Sequence, residues 1–169
     1  QLLKIAFQEL GTEEIKGDED NPEVLKYAKE TGIPGINNDE IAWCSTFVNW
    51  VAMKAGLQYS KKANARSWLN VGKKVAVPEP GDVVVFWRES IQSWKGHVGF
   101  FLGFSEDKKR VYCLGGNQGD RVSVSAYRKA QVLSYQRLRD VSKVQIPDPV
   151  LKRGSKGKAV AALQDALKL

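Results

Sequence analysis

The chain has 169 residues and a mass of 18.8 kDa, which suits one domain with a short appendage. Its contents of 43% hydrophobic and 27% charged residues exclude an intrinsically disordered chain. No apolar run approaches the roughly 20 residues that a membrane-spanning helix needs, so we expect no membrane insertion. Two cysteines, Cys44 and Cys113, exclude a disulfide-rich scaffold and leave a single bridge open.

The charge of the chain is unevenly distributed. The net charge is +7, from 26 Lys and Arg against 19 Asp and Glu. Residues 1–40 carry 4 basic and 10 acidic side chains, a net of −6, which leaves +13 on residues 41–169. Such a basic body attracts nucleic acid, anionic membranes or anionic cell-wall polymers. The charge does not distinguish among these partners. A basic surface that is only solvated, with no polyanion as partner, is an equally good interpretation.

Helical patterns dominate the first half of the chain. Apolar spacing predicts an amphipathic helix over residues 1–10 and a second helix over residues 22–31. The second helix should begin at Pro22 with Asn21 as its N-cap and end at Gly32.

A longer apolar segment, residues 39–56, predicts the most buried helix. Asn38 or Asp39 can cap it, which would place Cys44 in its first turn or two. Residues 63–72 predict another short helix.

After Gly81 the pattern changes to strands. Short runs rich in β-branched and aromatic residues are separated by turn residues. The runs are residues 82–87, 97–104, 110–116, 121–124 and 132–138. Helices followed by antiparallel strands predict an α+β fold, with the N-terminal helices packed on a five- to six-stranded antiparallel sheet.

Cys44 is a candidate nucleophile because of its place near a helix start. The partial positive charge of a helix N-terminus favours the thiolate and lowers the pKa of a cysteine. The alternative interpretation is an inert buried thiol, which is the commoner role of an isolated cysteine.

His97 is the one histidine of the chain, so any mechanism that needs an imidazole must use it. It opens the strand of residues 97–104, on which alternation places His97, Gly99, Phe101 and Gly103 on one face and Val98, Phe100, Leu102 and Phe104 on the other. The glycines leave room for another element to approach His97. An adjacent imidazole activates a thiol and later protonates the leaving amine. The alternative is a strand-end histidine bonded to backbone.

Asn117 is the candidate for orienting the imidazole. The strands that carry His97 and Asn117 can pair as a hairpin through residues 105–110, which brings the two residues near each other. Gln118 is the second candidate, and a plain turn residue is the alternative role for Asn117. The order Cys, His, Asn on a helix start, a strand start and a strand end is how a papain-like thiol hydrolase is assembled.

Five blocks of the sequence resemble the CHAP family, the cysteine, histidine-dependent amidohydrolases/peptidases, and they occur in that family's order. The blocks are DEIAWCSTFVNW (39–50), ARSWL (65–69), PGDVVVF (80–86), GHVGF (96–100) and GGNQ (115–118). The similarity is greatest to a branch found in phage lysins and bacterial cell-wall hydrolases, and it covers about residues 1–138.

The resemblance implies cleavage of amide bonds in the peptide part of peptidoglycan, and we expect the reaction to pass through a thioester acyl-enzyme. It implies Cys44 as nucleophile, His97 as base and Asn117 as the residue that orients the imidazole. An N-acetylmuramoyl-L-alanine amidase and a peptide endopeptidase both remain open. No signal-peptide pattern is visible, and we expect a protein secreted or delivered to the cell wall or periplasm as a phage lysin, an autolysin or a toxin.

Five residues are candidates for substrate binding. Glu40 can cap the helix or meet a substrate amine, while Arg66 and Trp68 can line a groove and meet a substrate carboxylate. The full set is Trp43, Glu40, Arg66, Trp68 and Gln118.

We predict no metal and no other cofactor. Asp18, Glu19 and Asp20 form an acidic cluster, which we interpret as a solvated turn, although some CHAP relatives bind calcium through an acidic loop. One histidine and two distant cysteines give no zinc-ligand spacing.

The domain boundaries follow from composition. Residues 1–143 should form the catalytic domain and residues 144–150 a linker, while residues 151–169 resemble the start of a truncated peptidoglycan-binding domain. An ordinary amphipathic tail helix is the alternative for the last segment. We expect a monomer, with an immunity or inhibitor protein as partner if the chain is a toxin.

The competing function is a basic, non-catalytic domain that binds the cell wall or nucleic acid. No nucleic-acid-binding motif supports it, so we expect no nucleic-acid partner.

Overall fold

The computed structural model describes residues 1–17, 19–36 and 42–141. Three α-helices precede a run of six strands. The helices are α1 (Leu2–Gln8), α2 (Pro22–Thr31) and α3 (Cys44–Lys54). The strands are β1 (Lys73–Val75), β2 (Val83–Trp87), β3 (Gly96–Phe104), β4 (Arg110–Gly115), β5 (Ser123–Arg128) and β6 (Val132–Arg137). Short 3₁₀ helices cover Ala65–Asn70 and Lys129–Gln131. The predicted linker and C-terminal segment, residues 144–150 and 151–169, lie outside the described residues.

All six strands form one antiparallel sheet, in the order β1-β6-β2-β3-β4-β5. This confirms the predicted α+β class and the five- to six-stranded sheet. The sequence pattern missed β1, because its three residues form a strand only by pairing with β6 at the other end of the domain. The fifth strand also lies later than the predicted residues 121–124.

The helix predictions differ in accuracy. Helix α2 has the predicted bounds, and its cap is confirmed: the Asn21 Oδ1 atom accepts a hydrogen bond from the Glu23 N–H at 2.9 Å. Gly32 follows with a φ of +69°, a left-handed conformation that favours glycine. Helix α3 begins at Cys44, later than the predicted residue 39. Its N-cap residue is Trp43, whose side chain makes no capping hydrogen bond. The proposed caps Asn38 and Asp39 lie outside the described residues.

The sheet buries apolar residues on both faces. Helix α3 covers one face, where Phe47, Val48 and Val51 join a core cluster with Val83, Val85, Val98, Phe100 and Leu114. The other face holds a smaller cluster of Val84, Phe86, Phe101, Val111 and Cys113. The smaller cluster confirms that Cys113 is buried, as its place on a central strand predicts.

One residue of β3 lies on the opposite face from the one predicted. Phe104 packs against Phe101, with ring centroids 5.0 Å apart, and not beside Val98 and Phe100. The cause is an irregularity in the β3–β4 register between Phe101 and Gly103, which shifts the alternation of side chains by one residue.

None of the helices in the described ranges is long and apolar enough to cross a bilayer.

Candidate active site

The nucleophile candidate Cys44 is the first residue of α3 and is only 7% exposed. Its sulfur lies against the start of β3, where the backbone N–H of Val98 hydrogen-bonds to the thiolate form. Val98 directly follows His97. The fold therefore brings the helix start and the strand start that carry the two predicted catalytic residues to one place.

Burial raises the pKa of the Cys44 thiol above its ordinary value. The Val98 N–H and the charge of Arg88 act in the opposite direction, but they do not outweigh burial. The expectation of a lowered pKa at the helix N-terminus is corrected here, because the thiol has lost its water contacts. Burial therefore favours the protonated form of the thiol.

His97 is 1% exposed, and its Nε2 atom lies 3.0 Å from Oε1 of Gln118. The Gln118 amide nitrogen donates to the carbonyl oxygens of Cys113 and Ser123. Because an amide nitrogen donates and its oxygen accepts, these two carbonyls fix the orientation of the Gln118 amide. The oxygen must then accept a hydrogen bond from His97, so the neutral imidazole carries its hydrogen on Nε2. This leaves Nδ1 as the basic nitrogen.

The structure places Gln118 rather than Asn117 on the imidazole. Asn117 is half-buried and has a φ of +54°, a left-handed conformation that asparagine tolerates. The Gln118 N–H donates to the Arg121 carbonyl, which turns the chain so that the Gln118 side chain points inward. The order of residues along the sequence favoured Asn117, but the conformation of the turn brings the Gln118 side chain to the imidazole.

Aromatic rings cover the imidazole on the sheet face. Tyr127 stacks on His97 with centroids 5.0 Å apart, and Phe86 stacks on Tyr127 at 4.5 Å. Burial in this environment lowers the pKa of His97 to about 4, against a smaller opposing effect of the hydrogen bond to Gln118. Sequence reasoning missed Tyr127, because its position depends on the pairing of β5 with β4. Alternation of side chains along β5 could have indicated Tyr127, but the predicted strand ended at residue 124.

Two tryptophans predicted to bind substrate belong to the core instead. Trp43 is fully buried, and its indole N–H donates to Glu14 at 2.6 Å. Trp68 is also fully buried, and its indole N–H donates to the Ser45 hydroxyl at 3.0 Å. Neither ring is accessible to a ligand, so both assignments are corrected. The hydrophobic effect explains their burial, since large rings with one satisfied donor pack well inside.

Arg66 has a different role from the predicted one. Its guanidinium donates to three backbone carbonyls, those of Ser90 (3.1 Å), Ile91 (2.8 Å) and Lys95 (3.1 Å). These contacts hold the loop between β2 and β3 against the 3₁₀ helix that carries Arg66. Three of the five guanidinium N–H donors are thus used by the loop. Glu40, the remaining candidate, lies outside the described residues.

Arg88 is a charged neighbour of the site that sequence reasoning missed. It is exposed, and its charge acts on Cys44 and on His97, lowering the pKa of both. It also hydrogen-bonds to Tyr127 and acts to lower the pKa of that phenol. Arg88 directly follows β2, in which Phe86 pairs with His97. Its position at the end of this strand was the feature of the sequence that could have indicated its closeness to His97.

Two glycines permit the close packing around the site. A Cβ atom on Gly116 would lie 2.5 Å from the Trp43 ring and 2.8 Å from Cβ of Phe47. A Cβ atom on Gly99 would lie within the contact distance of the Cys113 sulfur. The start of α3 can therefore approach closely only because Gly116 lacks a side chain, and Gly99 likewise lets the Cys113 side chain of β4 pack against β3. A neighbouring element therefore approaches Gly99 closely, as expected, whereas nothing lies within 4 Å of a Cβ atom on Gly103.

In the ranges that the structure describes, no three His, Cys, Asp or Glu side chains cluster as metal ligands would. Asp18 of the acidic turn is not among the described residues.

A sequence model of the CHAP domain family matches residues 36–117. The chain contains a CHAP domain. The match confirms the resemblance seen in the sequence, and its span includes α3, β1 to β4, Cys44 and His97. A CHAP domain implies amidohydrolase or peptidase activity on peptidoglycan and hence action on the cell wall. None of the curated proteins compared with the chain matches it.

Proposed function

We propose that the CHAP domain cleaves an amide bond in the peptide part of peptidoglycan, with Cys44 as nucleophile, His97 as base and Gln118 as the residue that positions the imidazole. One observation carries the proposal. The Cys44 sulfur lies against the N–H of the residue after His97, and the His97 ring is fixed by an amide whose own orientation is fixed. Gln118 takes the role that the family resemblance implies for Asn117.

The reaction begins from neutral partners. As the Cys44 sulfur attacks the scissile carbonyl carbon, its proton moves to Nδ1 of His97, and the carbonyl oxygen becomes an oxyanion. N–H groups at a helix start have no intrahelical partner and stabilise such an oxyanion, so the Cys44 backbone N–H is the proposed donor. The carbon–nitrogen bond then breaks, and the imidazolium gives its proton to the departing amine.

The product of this step is a thioester between Cys44 and the acyl half of the substrate. A water molecule attacks the thioester while His97 removes one of its protons. Collapse releases the carboxylic acid and returns the proton to the thiol. Throughout both steps Gln118 Oε1 accepts a hydrogen bond from the Nε2–H group, so the ring plane does not change.

The loop between β2 and β3 is the proposed rim for substrate. It leads into β3 just before His97, it is held by Arg66, and it exposes Trp94 to 71%. Arg88 stands at the other end of this loop, where its guanidinium can meet a carboxylate of the stem peptide. These residues replace Trp43 and Trp68 as candidates for contact with substrate.

The test is digestion of purified peptidoglycan by the parent chain and by Cys44→Ala, followed by mass spectrometry of the fragments. Cys113→Ala is the matched control, because it removes the other buried thiol. We expect fragments from the parent and from Cys113→Ala but not from Cys44→Ala. The fragment masses distinguish an amidase from an endopeptidase. Release of fragments by Cys44→Ala would overturn the mechanism.

The wider organisation is also a proposal. We infer a catalytic domain over residues 1–143, a linker over 144–150 and the start of a peptidoglycan-binding module over 151–169. A lysin, an autolysin and a delivered toxin each use such an enzyme at the cell wall.

A further inference from the structure

A basic cleft lies beside the end of β3 that is farther from His97 along the chain. It has a volume of about 640 Å³ between the β3–β4 hairpin and the turn from β5 to β6. Five exposed cationic side chains line it, together with one carboxylate, that of Asp107. The cations of this basic cleft are Lys108, Lys109, Arg110, Arg128 and Lys129.

The strand register forces these charges together. Arg110 and Arg128 are direct cross-strand partners in the β4–β5 pair. The Lys129 N–H donates to the Lys109 carbonyl at 2.8 Å, which brings the next two cations side by side. Like charges placed directly opposite each other destabilise a sheet. The arrangement therefore lowers stability unless an anion occupies the cleft.

The protein supplies little compensation for this charge. The Asp107 carboxylate accepts hydrogen bonds from the Ser105 hydroxyl (2.6 Å) and the Lys109 N–H (3.0 Å), so it closes its own turn. Every ion pair in the described part of the chain involves cations other than these five. The six charged groups carry a net charge of +4.

The basic cleft is separate from the catalytic site. Arg110 and Arg128 adjoin Val111 and Tyr127, which pack in the smaller apolar cluster, and successive side chains of a strand point to opposite faces. The two arginines therefore point away from the face on which Tyr127 stacks on His97. Lys129 is held over the Phe104 ring, with its Nζ atom 4.9 Å from the ring centroid. An anion bound here cannot touch the reacting bond, so it serves attachment and not chemistry.

We propose that the basic cleft binds the phosphate groups of an anionic phosphodiester polymer of the bacterial cell wall. Paired arginines suit phosphate, because each guanidinium offers parallel N–H donors that match two phosphate oxygens. The choice of a wall polymer rests on the proposed function, since the CHAP domain works in the material that contains such polymers. Attachment there keeps the catalytic site near peptide bonds without using its own substrate contacts.

The test measures binding of the full chain carrying Cys44→Ala to cell walls that retain polyol-phosphate polymers and to the same walls after hydrofluoric acid removes them. The Cys44→Ala background keeps the walls intact. Arg110→Gln/Arg128→Gln removes two cleft charges, and Lys73→Gln/Lys74→Gln removes two exposed charges from β1 as the matched control. We expect the cleft variant to bind untreated walls at least about tenfold more weakly than the control, since each charged hydrogen bond contributes about one such factor.

On polymer-free walls, the cleft and control variants should bind equally. Equal weakening of both variants on untreated walls, or no loss of binding after acid treatment, would overturn the proposal. Tighter binding to a random DNA duplex than to the purified wall polymer, at equal phosphate concentration, would overturn the choice of partner. Binding is measured without turnover, so failure of the proposed catalytic function would show separately, as absence of soluble fragments from the parent chain.

Discussion

The Nε2 atom of His97 lies 3.0 Å from Oε1 of Gln118, and two backbone carbonyls hold that amide in place. This relationship fixes the tautomer of the histidine on which the proposed mechanism depends. Its consequences can be measured cleanly, because the chain has a single histidine.

Removal of the Gln118 side chain should slow catalysis more than removal of its neighbour. We expect Gln118→Leu to lower kcat by about 10- to 100-fold, the value of one lost hydrogen bond to a group that becomes charged. KM should change little, because Gln118 acts through the imidazole. Asn117→Gly is the control, since glycine tolerates the φ of +54° at that position. A larger loss in Asn117→Gly than in Gln118→Leu would assign the positioning role to Asn117.

The tautomer itself can be observed by ¹⁵N NMR. At pH 7 the single imidazole should show a protonated Nε2 and an unprotonated Nδ1. Gln118→Leu should lose this preference and give a mixture of the two tautomers, because the Gln118 oxygen no longer accepts a hydrogen bond from Nε2–H. A spectrum with the proton on Nδ1 in the parent chain contradicts the assignment of the basic nitrogen.

Acid should destabilise the fold through His97. The folded pKa of about 4 is below the ordinary value of 6.5, so the unfolded chain binds the proton more readily. The contribution of His97 to stability is therefore present above pH 6.5 and is lost as the pH falls through 4. The difference of 2.5 pKa units corresponds to about 3 kcal/mol in the free energy of unfolding. Urea denaturation at pH 7 and pH 4 measures this loss.

His97→Gln is the control for the acid effect, because it removes the titrating group and leaves the carboxylates unchanged. The parent should lose about 3 kcal/mol more than this variant between the two pH values. Equal losses would show that the imidazole is not buried in its neutral form.

Arg88 should tune both catalytic groups through its charge. Because the guanidinium lowers the pKa of Cys44 and of His97, Arg88→Gln should raise both values. At neutral pH the rate of thiol alkylation should fall, and the NMR titration of His97 should move to higher pH. Lys74→Gln, on β1, is the control for net charge. High salt should shrink the effect, since Arg88 is exposed. Identical titration curves in Arg88→Gln and the parent refute this electrostatic role.

Gly116→Ala should disturb the start of α3. The added methyl group would lie 2.5 Å from the Trp43 ring, so the helix must shift or the ring must move. We expect a loss of about 1–3 kcal/mol in the free energy of unfolding, as in other overpacked cores. Gly103→Ala is the control, because nothing lies within 4 Å of its added Cβ atom. If urea denaturation finds the two variants equally stable, the close approach of α3 to Gly116 is not required.

Local patterns in the sequence are sufficient to predict several elements. Asn21, Pro22 and Gly32 marked the ends of α2, because capping and left-handed φ angles are properties of single residues. The run of residues 97–104 predicted β3, and its turn predicted the hairpin with β4. The CHAP family was also visible in the sequence, since its blocks are short and keep their order.

Which side chains meet depends on how the elements pack together. Trp43 and Trp68 looked like groove residues in the sequence, but packing of α3 on the sheet buries both. Gln118 rather than Asn117 contacts His97 because a turn directs one side chain inward, and β5 brings Tyr127 onto the same ring. The basic cleft likewise exists only through the register that places Arg110 opposite Arg128. Contacts between distant segments depend on strand pairing and burial, which no local pattern of residues encodes.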